Sequence, residues 1–229
     1  MELLKQKVEE VIVHTKQLKK FSIGNNSEEI ERFVMEREIK QIVEDDFMKK
    51  NPEEIIDEYF QYFSQKNIPT ITIDNQKKYY RARVGYKSEA GADDDWDEEF
   101  ILPYYDKDIM APPPLLSTGS RFNREGTSYL YISDDIKTCM AEVHLQVGQL
   151  CSVGTFKCKS EIEIIDLTAI QNDIEMEIWL DILTQPVYGN IYNRYNITKF
   201  LAEVLRRING NGIMFNSVQS KGRNIVCYK

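Results

Sequence analysis

Residues 119–143, GSRFNREGTSYLYISDDIKTCMAEV, restrict the fold more than any other stretch of the chain. Two glycines, Gly119 and Gly126, bracket Arg121 and Asn123, and the apolar run Tyr129-Leu130-Tyr131-Ile132 that follows reads as a strand between turn signals. Ser133-Asp134-Asp135 then offers a polar cap and an acidic first turn, and Ile136, Met140, Val143 and Val147 recur at helical spacing. The expectation is loop, strand, helix. Arg121 is delivered to a strand mouth, Tyr131 lies on the strand, and Glu142 rides the helix one step off its apolar stripe. These residue types suit three parts of one ligand: arginine forks onto phosphate, tyrosine stacks on a flat ring, and glutamate stabilises a developing cation or holds a sugar hydroxyl.

Ahead of that stretch the pattern is helical. Leu4, Val8, Val11 and Ile12 share one face of residues 1–20, and Gly24-Asn25-Asn26 breaks the run. Asn26 with Glu29 is a capping-box-like start for a helix striped by Ile30, Phe33, Val34, Ile42, Val43 and Phe47. Asn51-Pro52-Glu53-Glu54 opens a third helix, expected to run to about Lys66. Ile68-Pro69 ends the helices, and Thr70-Ile71-Thr72-Ile73-Asp74 alternates as a strand. A helical segment over 1–67 and a catalytic domain over 68–229 are therefore expected.

Tyr79–Val84 reads as another strand, with Arg81 and Arg83 on one face and Tyr80, Ala82 and Val84 on the other. Two arginines on one face repel unless something anionic sits between them, which makes Arg81 a second phosphate candidate. The acidic run Ala92-Asp93-Asp94-Asp95-Trp96-Asp97-Glu98-Glu99 lacks the spacing and glycine of a calcium loop and is expected to be a solvated loop, and Ala111-Pro112-Pro113-Pro114 to be extended. Further strands are expected at 151–157, 161–167 and 212–217, and helices at 174–184 and 199–207. Strands separated so irregularly predict a mixed α/β (α+β) fold, not a doubly wound parallel sheet.

Net charge is −8, which excludes a protein whose main task is gripping duplex DNA, since phosphate contact needs a basic face; no direct nucleic-acid partner is expected. The charged N-terminus does not suit a signal peptide and no stretch approaches a membrane span, so a cytoplasmic location without membrane contact is expected. The four cysteines form no CxxC pair, and His14 and His144 are the only histidines, so no metal site is expected.

The order and spacing of these residues resemble the RES domain family, whose signature has a Gly-Gly-Arg-aromatic-Asn loop, a Gly, a strand ending in Leu-Tyr, and a helix carrying Ala-Leu-Xaa-Glu-like residues. Here these become Gly119-Ser120-Arg121-Phe122-Asn123, Gly126, Leu130-Tyr131 and Ala141-Glu142. Gly212-Ile213-Met214-Phe215-Asn216-Ser217-Val218 and Asn224-Ile225-Val226 look like the family's closing strand, Ser motif and last strand. The resemblance implies an ADP-ribosyltransferase-like bent sheet and an NAD-degrading toxin held in check by a cognate antitoxin protein, with a homodimer left open. It implies Glu142, Tyr131 and Arg121 as catalytic residues, and Arg81, Arg121, Asn123, Tyr131 and Ser217 as NAD-binding ones. Ser217 would donate to a phosphate or orient an arginine. No Rossmann or P-loop fingerprint is present, so NAD would be substrate, with no cofactor. Hydrolysis, phosphorolysis and ADP-ribosyl transfer to a protein stay open, as does an inert binding module. Two departures stand out: Phe122 replaces the usual Trp, and Gln219 stands where an Arg often follows Ser-Val, leaving Arg223 as the next Arg.

Overall fold

The computed structural model describes residues 2–19, 27–90, 99–184 and 192–228. The fold is mixed α/β, and the chain divides into two compact units, each discontinuous in sequence. One is helical and comprises Met1–Pro69, Ser120–Arg124 and Ala169–Gly210; the other comprises Thr70–Gly119, Glu125–Thr168 and Asn211–Lys229 and holds the strands. The helical unit thus takes in a five-residue piece of the Arg121 loop and forty-odd later residues that the sequence grouped with the catalytic domain. The physical reason is that the first three helices bury their apolar faces on the later ones.

In the helical unit, α1 spans Glu2–Lys19, α2 Ser27–Lys49, α3 Pro52–Ser64, α5 Ile174–Thr184 and α6 Tyr192–Ile208. Asn51 caps α3 as its sequence predicts, accepting from the Glu53 N–H at 3.0 Å with Pro52 in the first turn. α3 turns Tyr59, Tyr62 and Phe63 inward. Tyr59 meets Trp179 and Phe200 edge-on at 6.0 and 5.0 Å, and Phe63 meets Trp179 at 5.2 Å. Asp46 is buried among these helices and compensated by Lys7 at 2.9 Å and Lys50 at 3.3 Å. α6 begins several residues earlier than expected: burial of Ile197, Phe200, Leu201, Val204 and Leu205 outweighs the poor helix propensity of Asn196 and Thr198. The expected cap at Asn26 and the run 92–98 fall outside the described residues.

The other unit is built on a seven-stranded sheet of order β1-β7-β8-β9-β5-β2-β6. Here β1 is Thr70–Ile73, β2 Tyr79–Val84, β5 Leu130–Ser133, β6 Cys151–Phe156, β7 Ile162–Asp166, β8 Gly212–Asn216 and β9 Arg223–Cys227. All its pairings are antiparallel except β7 with β8. A separate hairpin, β3 (Lys87–Ala90) with β4 (Glu99–Leu102), was not anticipated. Pro114–Leu116 forms a 3-10 turn that begins at the last residue of the segment expected to be extended. One sheet face carries the core cluster Ile73, Tyr79, Ile132, Ile164, Met214 and Ile225. By strand alternation, Tyr131 and Ser133 of β5 and Asn224 and Val226 of β9 occupy the other face.

The helix after β5, α4, corrects the sequence expectation. It spans only Ile136–Glu142, stopping where Val143 leaves helical geometry and His144 adopts a left-handed φ of 47°. The stripe read at Ile136, Met140 and Val147 is exposed, and the buried residues are Thr138 and Cys139. Glu142, one turn on from them, therefore lies toward the covered side.

Candidate functional site

Glu142 sits in the last turn of α4, and the sequence around it fixes both ends of that helix. Asp135 caps the N-terminus, accepting from the Thr138 backbone at 2.9 Å and the Thr138 hydroxyl at 2.6 Å, and these bonds hold its carboxyl below the ordinary carboxylate range. At the other end Glu142 Oε1 accepts two hydrogen bonds of 2.6 Å, from Ser217 Oγ and from Asn224 Nδ2. Asn224 is positioned in turn by the buried Ser133, whose hydroxyl donates to Asn224 Oδ1 at 2.7 Å. The second carboxylate oxygen, Oε2, has no hydrogen bond among the described residues.

Ser217 begins the turn from β8 to β9. Its backbone N–H reaches Gly222 O at 2.9 Å, and its hydroxyl oxygen accepts from the N–H groups of Gln219 and Ser220 at 3.0 and 3.1 Å. Its one hydroxyl hydrogen is committed to Glu142, so in this state it holds the carboxylate instead of a phosphate or an arginine. β9 also separates β8 from β5, so Ser217 follows a strand that does not neighbour the one carrying Tyr131. It reaches Glu142 from one strand further away. The turn is pinned to α4: Ser220 Oγ lies 2.6 Å from Thr138 Oγ1, and because Thr138 gives its own hydrogen to Asp135, Ser220 is the donor. Gly222 packs so closely there that a Cβ would run into the Thr138 hydroxyl and the Asp135 carboxylate. Arg223, the nearest replacement for the arginine missing at Gln219, is taken by Asp134, with Nε to Oδ2 at 2.9 Å and its N–H to Oδ1 at 2.8 Å.

Arg81 and Tyr131 also meet. β2 and β5 pair through Tyr80 and Ser133, and Arg81 Nη1 donates to the Tyr131 carbonyl at 3.0 Å. Arg81 Nε is buried and has no hydrogen-bond partner among the described residues. Burial, and then the nearby Arg83, push this guanidinium's pKa down, so the protein itself does not compensate the charge fully. Arg83 is placed differently: exposed, it donates to Asp108 O and lies 4.7 Å over the Tyr104 ring.

Arg121 and Asn123 belong to the helical unit. Arg121 Nη1 donates to Leu183 O at 3.1 Å, and Asn123 is buried, bonded to Ser120 Oγ and donating to Arg124 O at 3.2 Å. Of the residues put forward from the sequence, Ser217 is thus bonded to Glu142 and Arg81 to the backbone carbonyl of Tyr131, both within the sheet unit. Asn224 and Ser133 were not assigned to the site. The available signal was a buried-strand pattern interrupted by polar residues, since asparagine is depleted from strands and a buried amide needs partners. Among the described residues no three His, Cys, Asp or Glu side chains group to hold a metal, and no helix is long and apolar enough to cross a membrane.

Fold and site together define a mixed α/β protein whose polar centre is a helix-borne glutamate fastened to an inner strand. The family model of the RES domain matches residues 100–229, more than half of the chain. The chain belongs to the RES domain family, which is associated with NAD-related enzymatic activity and toxin–antitoxin systems. No curated protein and no solved structure matches it.

Proposed function

We propose that this chain cleaves the nicotinamide–ribose bond of NAD, by hydrolysis or phosphorolysis, and acts as a growth-arresting toxin. The observation that carries the reading is the carboxylate of Glu142, held on Oε1 by two donors at 2.6 Å while Oε2 has no hydrogen bond among the described residues. As the C1′–N bond breaks, its electron pair stays on the nicotinamide nitrogen, which leaves neutral, and positive charge develops on the ribose carbon. A carboxylate already fixed in place stabilises that charge without reorganising. Water then forms the new C1′–O bond and passes a proton to solvent, or a phosphate anion forms it through a charged oxygen with no proton to lose.

The remaining roles follow from the side chains. Tyr131 stacks on the nicotinamide or ribose, and Arg81, with a buried Nε in need of an acceptor, takes the pyrophosphate. Arg121 grips phosphate from its loop, with Asn123 bracing that loop. Ser217 serves by orienting Glu142. NAD is substrate on this reading, no cofactor or metal takes part, the partner is a cognate antitoxin protein, and the compartment is the cytoplasm.

The test is to incubate purified protein with NAD, with and without inorganic phosphate, and to follow nicotinamide and the ADP-ribosyl product. Stoichiometric nicotinamide release is expected, and Glu142→Gln should lower kcat by about 10²–10³ with little change in KM. No release at high enzyme concentration would reject the reading in favour of an inert binding module. ADP-ribose found on protein would move it to an ADP-ribosyltransferase.

A further inference from the structure

Ser133 is buried at the end of β5, and among the described residues its hydroxyl makes one hydrogen bond, to Asn224 Oδ1 at 2.7 Å. The two residues are register partners across β5 and β9, so their side chains stand next to each other on one sheet face. Asn224, also buried, spends one amide hydrogen on Glu142 Oε1 at 2.6 Å. Two hydrogen bonds therefore run in series, from hydroxyl to amide oxygen and from amide nitrogen to carboxylate.

The order of donors matters because an asparagine amide can turn over. With its oxygen toward Glu142, the amide would set two acceptors against each other. With its nitrogen toward Glu142, the oxygen points at residue 133, and a hydroxyl there satisfies it. An alanine would leave a buried carbonyl without a donor, which is costlier than the loss of an exposed hydrogen bond. A hydrogen bond received at the amide oxygen also polarises the amide and strengthens its N–H as a donor. The neighbouring pair repeats the tie, with Asp134 forked onto Arg223 by bonds of 2.8 and 2.9 Å. Side chains thus lock the end of β5 to the start of β9 at two consecutive positions, and the first of these leads to Glu142.

We propose that Ser133 is a positioning residue for Glu142, acting through Asn224: its hydroxyl holds the amide in the orientation that donates to Oε1 and so keeps Oε2 open to substrate. The proposal rests on Glu142 being the NAD-cleaving carboxylate, but the amide orientation can be read without NAD.

Two measurements on the full chain test it. In the first, the Asn224 side-chain amide is observed by NMR in wild type, Ser133→Ala and Ser133→Thr, and assigned with Asn224→Ala. A proton signal shifted downfield by the carboxylate is expected in wild type and Ser133→Thr, and its loss or broadening in Ser133→Ala. In the second, NAD turnover in Ser133→Ala should show kcat lowered about tenfold with KM nearly unchanged, and Ser133→Thr should restore it. The double variant Ser133→Ala/Asn224→Ala should be no slower than Asn224→Ala alone, which a merely structural role for Ser133 would not produce. An unchanged amide signal in folded Ser133→Ala, or rate losses that multiply in the double variant, would overturn the proposal. A wild type that never releases nicotinamide would sink the enzymatic reading, and the amide signal alone would then decide whether Ser133 positions Asn224.

Discussion

Arg81 carries a charge into a place where the protein satisfies it incompletely. Among the described residues its Nε is buried without an acceptor and its guanidinium makes one hydrogen bond, to a backbone carbonyl, while the charge of Arg83 opposes its own. Such a residue costs stability and persists where a ligand needs it. Arg81→Met should therefore raise KM for NAD at least tenfold while the thermal midpoint holds or rises. A midpoint several degrees lower with KM unchanged would mean that Arg81 is structural. At this scale the sequence went as far as residue chemistry and spacing allow. Glu142, Ser217 and Arg81 came forward because their types and order matched a recognisable pattern. Asn224 and Ser133 did not, because their meaning depends on a strand pairing between positions 91 residues apart, and on a carboxylate that reaches them from a helix.

At the level of elements, the short helix and the turn beside it show where pattern reading breaks down. α4 has too few residues for its apolar positions to define a face, and the face it covers takes a hydroxyl, a thiol and the glutamate instead of Ile136 and Met140. The longer elements were legible for the opposite reason: α5 falls on its expected limits, and α3 starts at its Asn-Pro cap, because many residues agree on one structure. The turn from β8 to β9 offers a direct test. Gly222→Ala places a methyl group against Thr138 and Asp135, so the turn must move away from α4 and take Ser217 with it. The expected outcome is a loss of about 1–3 kcal/mol in urea unfolding together with a fall in NAD turnover. An alanine variant with wild-type stability and rate would mean that the turn has room to adjust. Asp135→Ala, which removes the cap alone, should cost about 1 kcal/mol by the same assay.

For the molecule as a whole, the helical unit draws on three separate stretches of chain, so it has no contiguous boundary that a sequence scan could find. Its aromatic centre joins Tyr59 and Phe63 from α3 to Trp179 of α5 and Phe200 of α6. A truncated chain of residues 68–229 should consequently be insoluble or lack a cooperative thermal transition, and Tyr59→Ala in the full chain should cost about 3–5 kcal/mol. A soluble, cooperatively folding 68–229 fragment would show that the first three helices are dispensable.

The position of β9 in the sheet bears on how the protein is made. This strand, at Arg223–Cys227, lies between β8 and β5 and supplies Asn224 to Glu142, yet it follows both of those strands and Glu142 itself in the chain. Until it leaves the ribosome, the sheet is missing an inner strand and the Glu142 carboxylate is missing one of its two donors. An enzyme proposed to destroy NAD would thus stay inert until β9 had been made, and synthesis interrupted before that strand would release a fragment without a fastened Glu142.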